Sequence, residues 1–292
     1  MAFPTRSGGM IDRHISRRGL ARLALLLCPL LTAQIAPAIA ADESAWSQDL
    51  KSAVRLIAGA NKAGDAVLRA GVEVKMQPGW HTYWRYPGDA GVPPRFDFSG
   101  SDNVRSAKVR YPAPLLFSDG GGQSIGYSDT VIFPVQVVPR DASRPVTLRL
   151  KIDYAVCEKL CIPSEARAEL PLTAGPSANE SLLAAAEAKV PVLASAADLE
   201  LTAKRVNDAA KPLVAVDLKS PRGGPALVFV EGPSAEWALP IPKPAQGAPA
   251  GRQHFGFELD GLPPGVNPKA AFELTFTVVE GGRAFEIKTH LD

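Results

Sequence analysis

Val146-Thr147-Leu148-Arg149-Leu150-Lys151-Ile152-Asp153-Tyr154-Ala155-Val156-Cys157 places an apolar residue at every second position, with Thr147, Arg149, Lys151 and Asp153 between them. A period of two marks a strand with one buried face. The run ends in a cysteine, and a second follows at Cys161 after Glu158-Lys159-Leu160. Ala166, Ala168, Leu170 and Leu172 then alternate again, as a returning strand does. The cysteines therefore belong at the tip between two strands, or in the first residues of the turn. Glu158 and Lys159 make that turn solvent-facing.

Outward from this hairpin the β pattern continues. Val72, Val74 and Met76 alternate with polar residues, and Pro78-Gly79 turns the chain into Trp80–Tyr86. Thr130–Val138 is apolar with Pro134 inside it, which predicts an edge or bulged strand. Composition shifts at Gly175-Pro176-Ser177, and Asn179 is a candidate cap for a short helix through Glu180–Lys189. A second β region starts near Asp198. In it Val214, Val216 and Leu218 alternate, as do Phe255, Phe257 and Leu259. Gly281-Gly282 separates two β-patterned runs, a two-residue hairpin signal. The expected fold is all-β, with two β-sandwich domains joined by a short linker carrying one helix. The expected limits are 42–175, 176–197 and 198–292.

Residues 1–40 read as a secretory leader. Arg13, Arg17, Arg18 and Arg22 precede the apolar run Leu23–Leu31, and Ala38-Ile39-Ala40 supplies a small-x-small cleavage pattern. The run is too short for a spanning helix, which takes about 20 apolar residues. Ser16-Arg17-Arg18-Gly19-Leu20 resembles a twin-arginine signal, so the route is Sec or twin-arginine. No later segment approaches membrane length. The expected location is a bacterial periplasm, where disulfides form. The leader holds five Arg and one Asp, so the remaining 252 residues carry a net −2 rather than the +2 of the whole chain. Without a basic stripe, nucleic-acid binding has no support.

Cys157 and Cys161 are the only cysteines after the leader, which holds Cys28. Three readings are open for them: a structural disulfide, a redox couple and a metal site. Closing a loop of about five residues contributes roughly 2 kcal/mol in the chain-entropy model, against about 4.7 for a hundred-residue loop. A Cys-x3-Cys link is thus a weak staple, and an exposed turn suits exchange, where a thiolate must reach a sulfur.

Tyr154-Ala155-Val156-Cys157 and Cys161-Ile162-Pro163-Ser164-Glu165 resemble the active-site stretch of the N-terminal periplasmic domain of the thiol:disulfide interchange protein DsbD. They are still more similar to the related ScsB (suppressor of copper sensitivity) branch. Gly79-Trp80-His81-Thr82-Tyr83-Trp84-Arg85, with Pro87-Gly88-Asp89-Ala90-Gly91 behind it, is similar to another block of that branch. The motifs cover roughly 70–170. The resemblance implies immunoglobulin-like domains and a catalytic pair, Cys157 and Cys161, that passes electrons to oxidised periplasmic proteins with no cofactor. It implies that Cys161 forms the intermolecular bond and Cys157 resolves it. It also implies a separate membrane electron transporter of the DsbD type. Thioredoxin-like or disulfide-isomerase-like periplasmic proteins are the other implied partners. His81, Tyr83, Asp119, Tyr154 and Glu158 are the candidate shielding or tuning residues. For Tyr154, core packing is the competing expectation, because it shares parity with Val146–Val156. The family's cap loop corresponds to Phe117-Ser118-Asp119-Gly120-Gly121-Gly122-Gln123. Its tip is glycine, which leaves Phe117 as the nearby aromatic. The loop between the cysteines is shorter than in DsbD.

Two other chemistries have partial signals. Cys157 and Cys161 as thiolates are a soft donor set suited to Cu(I), so a copper-tolerance protein is an alternative. A non-catalytic β-sandwich with a structural disulfide is another. Gly122-Gln123-Ser124-Ile125-Gly126 matches a serine-nucleophile pattern. A β-patterned run follows it instead of the helix that chemistry needs.

Overall fold

The alternating run forms one arm of a long antiparallel hairpin, and the other strands are laid out around it. A computed structural model describes residues 41–292, apart from 90, 120–121, 196, 207–210 and 221–223. The expected leader, 1–40, therefore lies outside the described residues. In chain order the first strands are β1 (Ser47–Gln48), β2 (Ser52–Ala58), β3 (Leu68–Met76), β4 (His81–Gly88), β5 (Arg95–Asp97), β6 (Val104–Val109), β7 (Leu115–Asp119), β8 (Gly122–Ser128), β9 (Thr130–Pro139), β10 (Val146–Cys157) and β11 (Cys161–Leu172). One helix, α1 (Glu180–Glu187), follows. Then come β12 (Val192–Leu193), β13 (Glu200–Arg205), β14 (Leu213–Lys219), β15 (Ala226–Glu231), β16 (Lys243–Ala245), β17 (Arg252–Glu258), β18 (Phe272–Glu280) and β19 (Arg283–Leu291).

The first eleven strands make two sheets, ordered β1-β2-β3-β9-β6 and β11-β10-β4-β8-β7, with β5 pairing β10. Their inward residues, among them Leu56, Val72, Phe133, Leu148 and Ile152, share one core. The later strands make two four-stranded sheets, β12-β19-β18-β15 and β13-β14-β17-β16, around a second core with Val216, Phe257, Phe276 and Phe285. The mostly β expectation agrees with this. The two halves also interlock. Phe229 of β15 and Ile241 belong to the first core. The Phe229 ring lies 5.8 Å from Trp84. Arg85 of β4 pairs with Glu231 at 2.7 Å and with Glu286. The described residues hold together as one compact unit.

Three local expectations meet the structure differently. Pro134 sits in β9, which is paired on both sides rather than lying at an edge. The Pro134 carbonyl accepts from the Arg110 amide at 2.7 Å. Its nitrogen faces the same way, and β6 has ended there at Val109, so no strand partner needs an N–H from it. Within the expected linker, the helix and β12 both pack against strands. Leu183 of α1 is fully buried. A Cβ on Gly59 would come within 2.7 Å of Leu183, and one on Gly71 within 3.1 Å. Arg69 of β3 binds Glu180 and Glu187 of the helix at 2.7 Å each, and β12 runs parallel to β19. Asn179 occupies the N-cap position, but its amide donates to the Asp42 carbonyl at 3.1 Å and makes no cap bond. At Gly281-Gly282 expectation and structure agree. Both glycines have positive φ, 55° and 77°, as a tight hairpin turn requires. Among the described residues no helix is long and apolar enough to cross a membrane.

Candidate functional site

The β10–β11 hairpin pairs every residue from Val146↔Leu172 to Cys157↔Cys161, so the two cysteines face each other across the last rung. Their Cα atoms are 4.1 Å apart and their sulfurs are bonded. Glu158, Lys159 and Leu160 form the exposed turn beyond them. The two sulfurs have unequal surroundings because their strands do. β10 is interior, with β4 on its other side, and Cys157 pairs there with His81. β11 is the edge of its sheet. Cys157 is 4% exposed, whereas Cys161 is open to solvent.

Tyr83 completes the site. It lies on β4, fully buried, and packs with Ala155 and Cys157 in a small cluster apart from the main core. Its hydroxyl is 3.1 Å from Cys161 Sγ. A bridged sulfur has no proton, so the phenol donates. Thr82 fixes β4 against β10 by donating its hydroxyl to the Ala155 carbonyl at 2.8 Å. Two glycines make room. A Cβ on Gly91 would come within 2.6 Å of the Tyr83 ring, and one on Gly126, which pairs with Tyr83, would overlap the Thr82 carbonyl oxygen.

His81, on β4 between β10 and β8, is buried. Its ring meets Tyr83 edge-on at 5.5 Å and stacks on Phe117 of β7 at 4.6 Å, with an interplanar angle of 10°. Phe117, His81 and Tyr83 thus form a continuous aromatic run ending at the Cys161 sulfur. Asp119 ends β7, but its side chain and Gly120-Gly121 lie outside the described residues. Glu158 stands in the turn, and its Oε1 would lie 3.7 Å from a Cβ on Gly79.

Tyr154 is in the core and not at the sulfurs. Alternation along β10 sends Tyr154 and Val156 to the inner face, opposite Ala155 and Cys157. Its hydroxyl is 2.7 Å from Ser52 Oγ, and burial pushes the phenol's pKa up. Ser124 of the serine pattern is fully buried in the middle of β8, with no strand-turn-helix elbow. Among the described residues no group of three or more His, Cys, Asp or Glu is placed to hold a metal ion. Sequence reasoning did not single out Ala155, Thr82, Gly91 or Gly126 as site residues. Gly91 lies inside a quoted motif and Gly126 inside the serine pattern, but only strand pairing gives them a role.

The site is thus a disulfide with one buried and one open sulfur, on a β hairpin under a tyrosine hydroxyl. Residues 53–173 match the family of the thiol:disulfide interchange protein DsbD, N-terminal. This DsbD-type segment contains both cysteines and the whole aromatic run. The chain is also similar to the crystal structure of the N-terminal periplasmic domain of ScsB from Proteus mirabilis. That match has 22% identity and a TM-score of 0.70, and it covers 86% of this chain and 98% of that one. At that identity it shows a shared fold, and it extends past the DsbD-type segment into the second pair of sheets. A chimeric titin Z1Z2 carrying a KLER exogenous peptide from decorin, at 10% identity and a TM-score of 0.19, carries no argument. Comparison with curated proteins gave no match. The family match and the bonded cysteine pair support a thiol–disulfide exchange module.

Proposed function

We propose that this protein is a periplasmic thiol–disulfide reductase module working through Cys157 and Cys161. The observation that carries the reading is the unequal exposure of the two sulfurs. In the reduced protein the open Cys161 thiolate attacks one sulfur of a partner disulfide. That S–S bond breaks, and the partner's other sulfur leaves as a thiolate and takes up a proton. The Cys157 thiolate, sheltered on the interior strand, then attacks Cys161 Sγ and releases the partner's second thiolate. Two electrons pass from the module to the partner, and the module is left as the disulfide seen here. The burial of Cys157 suits a resolving thiol, which needs to reach only its own neighbour.

A membrane electron transporter of the DsbD type would return the pair to the dithiol, and thioredoxin-like or isomerase-like proteins would receive the electrons. In this reading 1–40 is the leader, 42–175 is an immunoglobulin-like redox domain, 176–197 is a linker and 198–292 is a second sandwich. The test is trapping in cells. A Cys157→Ser variant is expected to accumulate mixed disulfides through Cys161, seen as reductant-sensitive bands on non-reducing gels. If that variant captures nothing and Cys161→Ser behaves identically, exchange is refuted.

A further inference from the structure

β4 is paired at its two ends and unpaired between them. Tyr83 pairs with Gly126 of β8 and Gly88 pairs with Ser124, so Trp84, Arg85, Tyr86 and Pro87 stand opposite Ile125 alone. On the other side β10 pairs only with His81 and Thr82, and β5 takes the place of β4 from Lys151 to Asp153. Among the described residues, these four therefore have no registered partner on either side. A bulge of this kind re-aims the side chains around it, and the ladder no longer holds the strand there. Tyr83 is the last paired residue before it.

The second pair of sheets supplies what the ladder does not. The Trp84 ring packs on Phe229. Arg85 forks onto Glu231, with Nε donating at 2.9 Å and Nη2 at 2.7 Å, and Nη2 also donates to Glu286. The Tyr86 hydroxyl donates to the Leu239 carbonyl. At the far end, a Cβ on Gly88 would come within 3.3 Å of Ile241. The chain then leads back to the site. A Cβ on Gly91 would come within 2.6 Å of Pro87 and of the Tyr83 ring alike, so the segment leaving the bulge lies against that ring. The hydroxyl of the same ring is 3.1 Å from Cys161 Sγ.

We propose that the second pair of sheets braces the exchange site, with Arg85 as the positioning residue that fixes the bulge and so sets the Tyr83 hydroxyl against Cys161 Sγ. This rests on the exchange reading above and gives the second half of the chain a part in it. A guanidinium forked onto a carboxylate fixes direction as well as distance. Glu231 lies on β15 and Glu286 on β19, so one side chain ties β4 to two strands. Loosening this tie relaxes the bulge and leaves the cysteine hairpin closed, because that hairpin is paired through its own rungs.

The test is a double-mutant cycle on the pH profile of Cys161 alkylation by iodoacetamide, in a Cys157→Ser background. Arg85→Gln is expected to raise the midpoint, as Tyr83→Phe does and by no more than that change, about one pH unit. Added to Tyr83→Phe it should shift nothing further, because the hydroxyl through which it acts is gone. Glu231→Gln leaves Glu286 to balance Arg85, so it is the milder variant and keeps the test decisive if Arg85→Gln does not fold. It should also raise the midpoint. Removing a negative charge by itself would lower the midpoint, so that sign separates position from charge. Arg69→Gln breaks a comparable ion trio on α1 and should leave the midpoint in place. A midpoint that Arg85→Gln or Glu231→Gln does not raise, a shift that persists undiminished without the Tyr83 hydroxyl, or an equal shift from Arg69→Gln each overturns the brace. A wild-type disulfide that dithiothreitol cannot reduce in the native fold is a different result and sinks exchange itself.

Discussion

Replacing Tyr83 with Phe removes one oxygen and keeps the ring. The ring is fully buried beside Ala155 and Cys157, so the variant leaves no large cavity and loses only the hydroxyl 3.1 Å from Cys161 Sγ. If that contact is kept on reduction, the hydroxyl is placed to donate to the Cys161 thiolate. A hydrogen bond to a charged group contributes about 1.5–3 kcal/mol and one to a neutral group about 0.5–1.5 kcal/mol. The difference, about 1.4 kcal/mol, is a factor of ten between thiolate and thiol. The less stabilised thiolate is also more nucleophilic. With a Brønsted slope of about 0.4–0.5, the net loss in rate is threefold to fourfold at a pH where the thiol predominates. The assay is alkylation of Cys161 by iodoacetamide across pH, in a Cys157→Ser background that isolates one sulfur. Tyr154→Phe is the control. It also removes a buried phenol oxygen, but one bonded to Ser52 on the other face of β10, and should leave the alkylation profile unchanged. If Tyr83→Phe matches its parent across the pH range, or Tyr154→Phe shifts the profile equally, the Tyr83 hydroxyl does not stabilise this thiolate.

Two further outcomes follow from the packing and the charges. Gly126→Ala places a methyl group on the Thr82 carbonyl oxygen, and main chain cannot rotate away as a side chain does. The expected loss is about 1–3 kcal/mol or more by urea unfolding, and an unchanged midpoint would refute the close β4–β8 approach. The Glu180 carboxyl is held below its ordinary value of 4.5, first by the Ala60 amide and then by Arg69. A depressed folded-state pKa stabilises fully above the ordinary value and is lost as pH falls through the lowered one. The stability gap between wild type and Glu180→Gln should therefore be constant at neutral pH and close in acid. A gap that widens on acidification would show the sign to be wrong.

Much of this was legible in the chain. Period-two alternation in Val146–Val156 and its return in Ala166–Leu172 placed both cysteines at one hairpin tip, because a strand's two faces can be read from its own residues. Gly281-Gly282 announced its turn for an equally local reason, since both positions need positive φ. His81 and Tyr83 were picked out through their motif. The edge-strand reading of Pro134 failed because its tolerance depends on where β6 stops, and β6 lies more than twenty residues away. The place of Leu183 was not legible, because nothing in the composition around it shows the pocket that Gly59 and Gly71 leave for it.

The sequence by itself determined a β hairpin with two cysteines at its tip. It also determined that Tyr154 and Cys157 point to opposite sides of that strand. Only the tertiary structure decided which sulfur meets the solvent and which tyrosine touches it. Side-chain parity is a property of one strand, but interior or edge position depends on which distant strands pair beside it. Here β4 covers Cys157 and, among the described residues, no strand pairs beyond β11, so the open sulfur is Cys161.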